Sequence, residues 1–471
     1  MKKYDLIIIG SGPAGEKAAV KAAYYGKQVA VVEKRADLGG AGTNTGTLPS
    51  KTLKETALYY SGLNERGLFG VDKELERAAN VRDFFFRKNQ VVEQQEQGIA
   101  ANFKLHNIDT YIGTATVKDP HTVVIEGKDA AEIEGEFILV ATGSYPFQPP
   151  GIPFDGKFVH DSDTILNINR IPRSIVIVGA GVIGCEYATI FAVMGTKVKL
   201  VNSHEEILGF LDREICRELT ADMEKIGIEF VFGSRIEQVE ILPEEHTSNV
   251  HAKLTNGAPI EADMFLYAAG RSGASHNLGL EALGVEIDNR QNIVVDEKYS
   301  TKVPSIYAAG DVIGFPALAS TSMDQGRVAV THMFNFWGDE KISEQFPYGI
   351  YTIPEVSVYG MTEDEAQKKK IDYCIGRARY RDMPRGRIIG AKEGLLKLVV
   401  DRPTRKVLGV HIFGKIATEL IHYGMDLVQN EDTLGRIVSR VYNTPTLHEL
   451  YKYAAYNALI EGHYMDEPTG N

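Results

Sequence analysis

The pattern of apolar and polar positions at the start of the chain predicts a strand, a tight turn, a helix and a second strand. Residues 4–34 read YDLIIIGSGPAGEKAAVKAAYYGKQVAVVEK, and the first apolar run, residues 6–9, leads into Gly10, Gly12 and Gly15. In such a turn the first glycine allows the bend, the second lets a pyrophosphate approach the backbone, and the third lets helix and strand pack closely. The segment therefore predicts a dinucleotide site with phosphates at the helix N-terminus.

The same pattern returns in the middle of the chain. Residues 174–202 read SIVIVGAGVIGCEYATIFAVMGTKVKLVN, with glycines at Gly179, Gly181 and Gly184 and a second strand predicted to end at Asn202. A lone glycine-rich turn is weak evidence, but here strand, turn, helix and strand follow in order twice. Two nucleotide sites imply two cofactors, or one bound cofactor and one exchangeable nucleotide.

The two copies differ at the end of their second strand, where a side chain can reach an adenosine ribose. The first copy has Glu33, whose carboxylate can bind ribose hydroxyls and repels a 2′-phosphate, as suits FAD or NAD. The second copy has Asn202, followed by Ser203 and His204. We interpret this second site as permissive between NAD(H) and NADP(H). The alternative is that Asn202 only caps the strand and that specificity lies elsewhere.

A third glycine-containing motif predicts contacts to a flavin. Residues 303–320 read VPSIYAAGDVIGFPALAS, in which a strand ends at Gly310 and Asp311 and a helix begins near residues 317–320. The aspartate can bind a polyol hydroxyl such as those of a ribityl chain, and a helix N-terminus stabilises negative charge on a flavin pyrimidine edge. Residues 138–144 (ILVATGS) and 266–272 (LYAAGRS) predict two crossings between nucleotide domains.

The remaining pattern predicts further elements. Polar and charged residues at helical spacing predict a long exposed helix over residues 73–104. LLKLVVD and VLGVHIF predict strands, and helices are expected at about residues 417–430 and 446–461. On the last helix, Tyr451, Tyr453 and Tyr456 are interpreted as dimer-interface packing. The terminal DEPTGN is expected to be disordered.

Composition narrows the class of protein. The 471 residues suit roughly three or four domains. A net charge of −12 argues against a broad basic face for nucleic acid. The three cysteines, Cys185, Cys216 and Cys374, have neither disulfide-framework nor zinc spacing, which favours a reducing cytoplasm and no metal. A strand pattern starts almost at the N-terminus, so no leader peptide is expected, and no apolar run suits a membrane span.

The order of motifs GSGPAG, GG…PSK, ATG, GAGVIGCE, AAGR and AAGD resembles the class I pyridine nucleotide–disulfide oxidoreductases, such as dihydrolipoamide dehydrogenase and glutathione reductase. This resemblance covers essentially the whole chain. It implies an α/β homodimer with two Rossmann-like dinucleotide-binding domains, for FAD and NAD(P), and an α+β C-terminal dimerisation domain. The implied boundaries are 1–148 (FAD domain, first part), 149–271 (NAD(P) domain), 272–345 (FAD-binding or central domain) and 346–471 (interface domain).

Both halves of that family's dithiol machinery are replaced. In the loop GGAGTNTGTLPSK, Gly42 and Thr47 stand at the two redox cysteine positions, and Thr444 stands at the position of the C-terminal histidine. His448 is out of register and is interpreted as a surface or interface residue. The soluble, Si-specific pyridine nucleotide transhydrogenases are similar at GTLPSK and YNTPTLHELYKYAAYNAL, although some of them keep the first cysteine. The glycine at position 42 leaves the substrate side of the flavin open.

The resemblance also implies the site residues. Lys51 is expected beside the flavin, paired with Glu186, and these two are the predicted catalytic residues. The loop before Lys51 is interpreted as a flavin cradle in which Thr43, Asn44 and Thr47 can hydrogen-bond to the cofactor. The predicted cofactor-binding residues are Gly10, Gly12, Pro13, Ala14, Gly15, Glu33, Lys34, Gly40, Ala41, Gly42, Thr47, Lys51, Gly113, Ala141, Thr142, Gly143, Gly179, Gly181, Val182, Ile183, Gly184, Glu186, Asn202, Ser203, His204, Gly270, Gly310, Asp311, Ala317, Leu318, Ala319 and Ser320.

These residues predict an FAD-dependent oxidoreductase that uses NAD(H) and NADP(H) as exchangeable substrates. Without a dithiol, the favoured activity is ping-pong transhydrogenation, NADPH + NAD+ ⇌ NADP+ + NADH. A first alternative is an NAD(P)H-dependent quinone or diaphorase-type reductase, whose flat acceptor enters the vacated pocket. A second alternative is a non-catalytic FAD-binding subunit, which the presence of Lys51, Glu186 and Asp311 at their motif positions disfavours.

Overall fold

A computed structural model describes residues 1–63, 66–72, 75, 77, 79–243, 246, 248–338 and 341–463. Within those residues the strands are β1 Lys2–Ile9, β2 Val29–Glu33, β3 Asp109–Ile112, β4 Thr114–Asp119, β5 Thr122–Glu126, β6 Ala131–Val140, β7 Ser144–Pro146, β8 Val159–Asp161, β9 Ser174–Val178, β10 Lys197–Val201, β11 Ile228–Val231, β12 Ile236–Ile241, β13 Val250–Leu254, β14 Pro259–Ala262, β15 Met264–Tyr267, β16 Arg271–Gly273, β17 Ile306–Ala308, β18 Tyr348–Ile350, β19 Val356–Gly360, β20 Tyr373–Arg379, β21 Leu395–Asp401 and β22 Val407–Phe413.

The α-helices of the described residues are α1 Pro13–Tyr24, α2 Gly40–Asn44, α3 Thr47–Ser61, α4 Val81–Leu105, α5 Val182–Val193, α6 Arg213–Lys225, α7 Ala319–Phe334, α8 Glu363–Lys368, α9 Pro384–Ile388, α10 Ala417–Gln429, α11 Leu434–Ser439 and α12 Glu449–Glu461. Short 3₁₀ helices lie at Thr164–Asn167, Glu281–Leu283, Asp311–Ile313 and Tyr380–Asp382.

Two sheets carry the two glycine-rich turns. The first has the order β3-β2-β1-β6-β5-β4, with β17 also paired to β6. Strands β1, β2, β3, β6 and β17 run parallel there, whereas β4 and β5 form an antiparallel extension. The second sheet, β11-β10-β9-β15-β8, is parallel throughout. Its inner strands β9 and β15 are almost wholly buried and apolar, as expected for a parallel sheet covered on both faces. Both sheets have the Rossmann arrangement that the sequence predicted.

The C-terminal part of the chain forms an antiparallel sheet, β18-β19-β22-β21-β20, with helices packed on it. Its core includes Leu396, Leu398 and Val410 from the strands and Leu420 and Ala454 from the helices, all nearly or fully buried. The α/β class with an α+β C-terminal domain is therefore confirmed. Among the described residues, no helix is both long and apolar enough to cross a bilayer.

Several predicted boundaries need correction. Strand β10 ends at Val201, one residue before the predicted end. The long helix begins at Val81 instead of residue 73, because Asn80 and Asp83 form a reciprocal capping box that starts the helix there. This helix is not wholly exposed, since Phe84, Phe85, Ile99 and Phe103 are buried. The last helix begins at Glu449 rather than residue 446, and the terminal DEPTGN lies outside the described residues.

Candidate functional site

The first glycine-rich turn is held by a contact that only glycine permits. Gly10 has φ of +105°, and a Cβ on Gly15 would lie 2.0 Å from the Gly10 carbonyl oxygen. Helix α1 therefore packs directly against the end of β1. Its N-cap, Gly12, supplies no side-chain hydrogen bond to the helix. The free N–H groups of the first turn thus point at the space in front of the turn, where they can bind an anion.

Glu33 ends β2 beside this turn and is only 7% exposed. Its Oε2 accepts hydrogen bonds from the Ser11 backbone N–H at 2.9 Å and the Ser11 hydroxyl at 2.8 Å. The Arg35 N–H donates to Oε1 at 3.1 Å. These bonds fix the carboxylate at the wall of a cavity that Gly10 and Gly12 also line. The carboxylate keeps lone pairs that can accept from the hydroxyls of a ribose.

The loop before Lys51 packs its backbone against the first turn. A Cβ on Gly40 would lie 2.8 Å from the Gly12 Cα, and the Cβ of any residue at position 42 would lie 2.8 Å from the Pro13 Cγ. The backbone of this loop therefore forms part of the cavity wall. The structure does not bring Thr43 to the cavity, because its side chain is buried and it is not among the lining residues. Asn44 does line the cavity, but its amide donates to the Leu38 carbonyl at 3.0 Å.

Lys51 and Glu186 are in direct contact. The Lys51 Nζ donates to both carboxylate oxygens of Glu186, at 2.8 and 2.7 Å. Helix α3 supplies the lysine and helix α5 the glutamate, so the pair joins the two nucleotide-binding regions. The glutamate side chain is 4% exposed and the lysine side chain 25% exposed. Both residues line the same cavity, so a buried carboxylate holds a more accessible ammonium group at its wall.

Asp311 also lines the cavity, in the segment between β17 and α7. It accepts hydrogen bonds from the Ser144 hydroxyl at 3.0 Å and the Ser322 hydroxyl at 3.3 Å. Helix α7 begins at Ala319, and its N-cap, Leu318, provides no side-chain hydrogen bond. The helix N-terminus is therefore another region of positive potential on the cavity wall.

One cavity of about 1140 Å³ brings most of the predicted residues together. Those that line it are Gly10, Gly12, Pro13, Ala14, Glu33, Lys34, Gly40, Ala41, Gly42, Thr47, Lys51, Gly113, Ala141, Thr142, Gly143, Val182, Ile183, Glu186, Gly310, Asp311, Ala317, Leu318, Ala319 and Ser320. The volume exceeds the roughly 300–1,000 Å³ of ordinary ligand pockets, as a dinucleotide requires. Gly15 lies behind the lining and has a packing role.

The glycines of the second turn and the other remaining predicted residues are not among those that line this cavity. They are Gly179, Gly181, Gly184, Asn202, Ser203, His204 and Gly270. The turn repeats the geometry of the first, since a Cβ on Gly184 would lie 1.8 Å from the Gly179 carbonyl oxygen. The Asn202 Oδ1 accepts from the Ala180 N–H at 3.3 Å, and its Nδ2 donates to the carbonyls of His204 and Glu206 at 3.2 and 2.9 Å. These bonds favour the alternative in which Asn202 organises the strand end.

Arg271 is a residue that sequence reasoning missed. Its guanidinium donates to the Ser144 hydroxyl at 2.8 Å and to the Ser162 hydroxyl at 3.2 Å, and it lies 3.5 Å from Asp163. Burial raises the pKa of Asp163, although Arg271 opposes that shift. Because Ser144 in turn binds Asp311, Arg271 connects the second sheet to the flavin-type motif. The sequence feature that could have identified Arg271 is the arginine of the AAGR motif.

The tyrosines that line the cavity, Tyr145, Tyr187 and Tyr351, were also missed, and two of them lie beside Glu186. Tyr187 follows Glu186 on α5 and is 3% exposed, and its hydroxyl has no hydrogen-bond partner among the described residues. Tyr351 comes from the C-terminal domain, and its backbone N–H donates to the Glu186 Oε1 at 3.0 Å. In the sequence, Tyr187 and Tyr351 stand in the segments GCEY and YGIYTIPEVS. These segments were interpreted only as family motifs, not as sources of cavity-lining side chains.

In the C-terminal segment, Thr444 stands at the position of the histidine in the resembled family, and it is hydrogen-bonded to Glu449. The Thr444 hydroxyl donates to the Glu449 carboxylate at 2.8 Å, and the Thr446 N–H donates to its other oxygen at 3.3 Å. His448 is exposed, in keeping with its interpretation as a surface residue. Tyr451 requires a correction: it is fully buried, and its hydroxyl donates to the Leu420 carbonyl at 2.6 Å, so it belongs to the core of its own domain. Tyr453 and Tyr456 are exposed.

Comparison with known proteins now decides the family. Residues 4–326 match the family described as pyridine nucleotide-disulphide oxidoreductase, and residues 346–455 match its dimerisation domain. The chain belongs to this family. It is 42% identical to a soluble pyridine nucleotide transhydrogenase of Mycobacterium bovis and 38% identical to one of Pseudomonas putida. The first alignment covers 98% of each chain, and the second covers 97% of this chain and 98% of the relative. The chain thus lies in the transhydrogenase branch that the sequence resembled.

Solved structures agree with the fold. The HOCl-induced flavoprotein disulfide reductase RclA of Escherichia coli, solved as a Cu(II) complex, superposes with a TM-score of 0.87 at 27% identity, over 97% of this chain and 100% of its own. LpdA of Mycobacterium tuberculosis gives a TM-score of 0.88 at 24% identity, over 97% of this chain and 99% of its own. The protein is an FAD-dependent oxidoreductase of this family, as predicted.

The cavity suits FAD on its own geometry. Its wall includes an anion site at the start of α1, an acceptor at Glu33, an acceptor at Asp311 and a positive helix terminus at α7. In the order given, these four groups are of the kinds that bind a pyrophosphate, a ribose, a polyol chain and an electron-rich ring edge. The glycine contacts at positions 12 and 40 keep side chains out of the space between.

Proposed function

We propose that the protein transfers hydride between the two nicotinamide nucleotides, NADPH + NAD+ ⇌ NADP+ + NADH, by a ping-pong mechanism. The observation that carries this proposal is the absence of a thiol at the cavity. All three cysteines are buried and free, and none of them lines it. The positions that hold redox cysteines in the resembled enzymes are Gly42 and Thr47, and both of those line it. A dithiol relay therefore has no atoms from which to form.

Bound FAD supplies the hydride acceptor and donor, and the chain supplies position, charge and exclusion of water. Lys51, held by Glu186, places a positive charge at the cavity wall. There it would favour electron gain by a bound flavin. We assign FAD binding to the residues predicted from the first and third motifs, with Glu33 at the adenosine ribose and Asp311 at the ribityl chain. Gly179, Gly181 and Gly184 with the loop 202–204 are assigned to the exchangeable nucleotide.

No general acid or base is needed for hydride exchange between two nicotinamides, because no proton is transferred. This agrees with Thr444 at the histidine position, where the side chain is already hydrogen-bonded to Glu449. The two couples are nearly balanced, so the chain needs mainly to orient the donor and keep water out. Val182 and Ile183, which line the cavity at the start of α5, provide an apolar wall for the nicotinamide.

The test mixes purified, FAD-loaded protein anaerobically with NADPH and thio-NAD+. The proposal expects fast formation of reduced thio-NAD, with parallel lines in double-reciprocal plots against the two nucleotides. Lines recorded at different fixed concentrations of one nucleotide should have the same slope, because the first product leaves before the second substrate binds. If NADPH bleaches the flavin but thio-NAD+ does not restore its colour, transhydrogenation is ruled out.

A quinone or diaphorase-type reductase is a second candidate, and one observation favours it. The same cavity is also lined by Phe346, Ile421 and Met425 of the C-terminal domain, apolar side chains against which a flat acceptor can pack. If NADPH-bleached enzyme is reoxidised much faster by a soluble benzoquinone than by thio-NAD+, this candidate replaces the first.

The assembly and location are part of the proposal. A dimerisation domain is present, and we propose a homodimer in which residues 346–471 form the interface, with residues 1–148, 149–271 and 272–345 as the predicted FAD, NAD(P) and central domains. Val441, Tyr453 and Tyr456 are exposed apolar or aromatic side chains that such an interface would cover. Three free buried cysteines are in keeping with a cytoplasmic enzyme. Light scattering of the holoenzyme tests the dimer.

A further inference from the structure

Tyr351 lies at the junction between the C-terminal domain and the Lys51–Glu186 pair. It directly follows strand β18, is half-buried, and lines the cavity. Burial raises the pKa of its hydroxyl, while the Thr418 hydroxyl opposes that shift. The side chain is therefore a neutral phenol whose ring, rather than its charge, acts on its neighbours.

The backbone of Tyr351 helps to hold the Glu186 carboxylate. Its N–H donates to Oε1 at 3.0 Å, while Lys51 binds both oxygens. The Ser50 hydroxyl adds a longer bond to Oε2 at 3.3 Å. A carboxylate that is 4% exposed thus has donors from two separate parts of the chain, which fixes its orientation.

The ring of Tyr351 contacts two ammonium groups. The Nζ of Lys51 lies 5.0 Å from the ring centroid, and the Nζ of Lys54 lies 5.7 Å from it. Both distances are within the range of a cation–π interaction, in which the electron-rich face of a ring attracts a cation. Because the pair is partly desolvated, this attraction is stronger than it would be at an exposed site.

The second lysine is itself fixed. Lys54 is 4% exposed and its Nζ donates to the Glu355 carboxylate at 2.5 Å. The Thr418 hydroxyl donates to the other oxygen of Glu355 at 2.8 Å. Lys54, Glu355 and Thr418 therefore form a rigid buried support beside Tyr351.

We propose that Tyr351 is a positioning residue for hydride transfer: the π face of its ring and its backbone N–H hold Lys51 and Glu186 in place at the cavity wall. The proposal rests on the function assigned to that pair above. The proposed effect of the ring on Lys51 is electrostatic. A ring of the same size with less electron density on its face should therefore hold Lys51 less well.

The experiment substitutes Tyr351 in the holoenzyme with phenylalanine and then with phenylalanines carrying one, two, three and five fluorine atoms. Fluorine withdraws electron density from the ring face with little change in size. Two quantities are measured at equal FAD content: the midpoint potential of the bound flavin, and the rate at which NADPH bleaches it in a single turnover. The matched control is the same series at Tyr348, whose ring packs on Phe210 and Phe346.

We expect Tyr351→Phe to remain close to wild type. Across the fluorinated series the potential should become steadily more negative and the bleaching rate should fall, in total by about 2- to 30-fold, the range that a cation–π contact supports. The Tyr348 series should be flat. Tyr351→Leu, which keeps the backbone N–H but has no ring, should fall at or below the pentafluorinated variant.

A flat fluorine series at Tyr351 would overturn the proposal, and it would do so even if Tyr351→Leu were impaired, because the ring would then act only by packing. Failure of the proposed function gives a different pattern. In that case wild-type flavin bleached by NADPH is not restored by thio-NAD+, while the fluorine series still reports on Lys51 through the bleaching step.

Discussion

Lys51 Nζ lies 2.7 Å from Glu186 Oε2, although the two residues are 135 positions apart in the chain. The carboxylate is almost wholly buried and the ammonium group reaches the cavity. Desolvation makes an isolated buried charge costly, so each member of the pair depends on the other. The pair therefore joins α3 to α5 and also places a positive charge at the cavity.

Replacing Lys51 with methionine should slow bleaching of the flavin by NADPH about 10²- to 10³-fold, the usual cost of removing a charge-stabilising group from an active site. Glu186→Gln should cost less, because the amide oxygen can still accept from Lys51 and from the Tyr351 N–H. Stopped-flow absorbance gives both rates.

The control for charge removal is Glu134→Gln, since Glu134 pairs with the exposed Lys3 far from the cavity. It should leave the rate unchanged. If Lys51→Met bleaches as fast as wild type while retaining FAD, the lysine has no part in hydride transfer and the pair is structural.

Gly42→Ala should destabilise the holoenzyme by about 1–3 kcal/mol, because the added Cβ falls 2.8 Å from the Pro13 ring and overpacks the loop. We also expect weaker FAD retention, since Pro13 belongs to the first turn. Gly98→Ala is the matched control: Gly98 is an exposed position within α4 where an added Cβ meets nothing within 4 Å.

Denaturation followed by circular dichroism measures both glycine variants. Gly98→Ala should stabilise slightly, because alanine loses less backbone entropy than glycine in a helix. Equal behaviour of the two variants would show that the loop yields freely to a side chain at position 42, and that glycine is not required there.

Local pattern was enough to predict much of this molecule. Both nucleotide turns, the helix start at residues 317–320 and the strands LLKLVVD and VLGVHIF depend on neighbouring residues, whose spacing is visible in the sequence. Lys51 and Glu186 were paired only through the resemblance to a family, since nothing local relates positions so far apart.

Contacts between distant segments account for what the sequence missed. Tyr351 meets Lys51 across 300 residues, and Arg271 meets Ser144 across 127. The position of Tyr451 could not be inferred either. A helical repeat shows that a face is apolar, but it does not say whether a partner subunit or the helix's own domain covers that face. The capping residues Asn80 and Asp83, by contrast, were a readable signal for the start of α4.

Asn202→Ala should raise the KM values for NADH and NADPH together, by roughly fivefold, because it removes hydrogen bonds worth about 0.5–1.5 kcal/mol each from the loop that follows β10. Initial-rate kinetics with each nucleotide tests this. A rise confined to one nucleotide would instead show that the Asn202 side chain discriminates at the 2′ position, which would contradict the permissive-site interpretation.

A buried ion cluster joins helix α6 to the C-terminal sheet. Lys397 Nζ lies 2.9 Å from Asp212 Oδ1 and 3.0 Å from Glu214 Oε2, and the lysine side chain is only 1% exposed. Burial raises the pKa of Asp212, but His411 and Lys397 together outweigh burial and hold the pKa below its ordinary value. Burial lowers the pKa of Lys397, yet the surrounding carboxylates raise it overall.

Lys397→Met should therefore lower the free energy of unfolding by about 3–5 kcal/mol at neutral pH, because it strands buried carboxylates. The lowered pKa of Asp212 makes its contribution present above the ordinary carboxyl range and lost as pH falls through the lowered value. The difference in melting temperature between wild type and variant should consequently shrink in acid. Lys199→Met, which breaks an exposed pair with Glu229, should cost about 0–1 kcal/mol. Equal losses for the two lysine variants, or a difference independent of pH, would show that the buried cluster does not stabilise this contact.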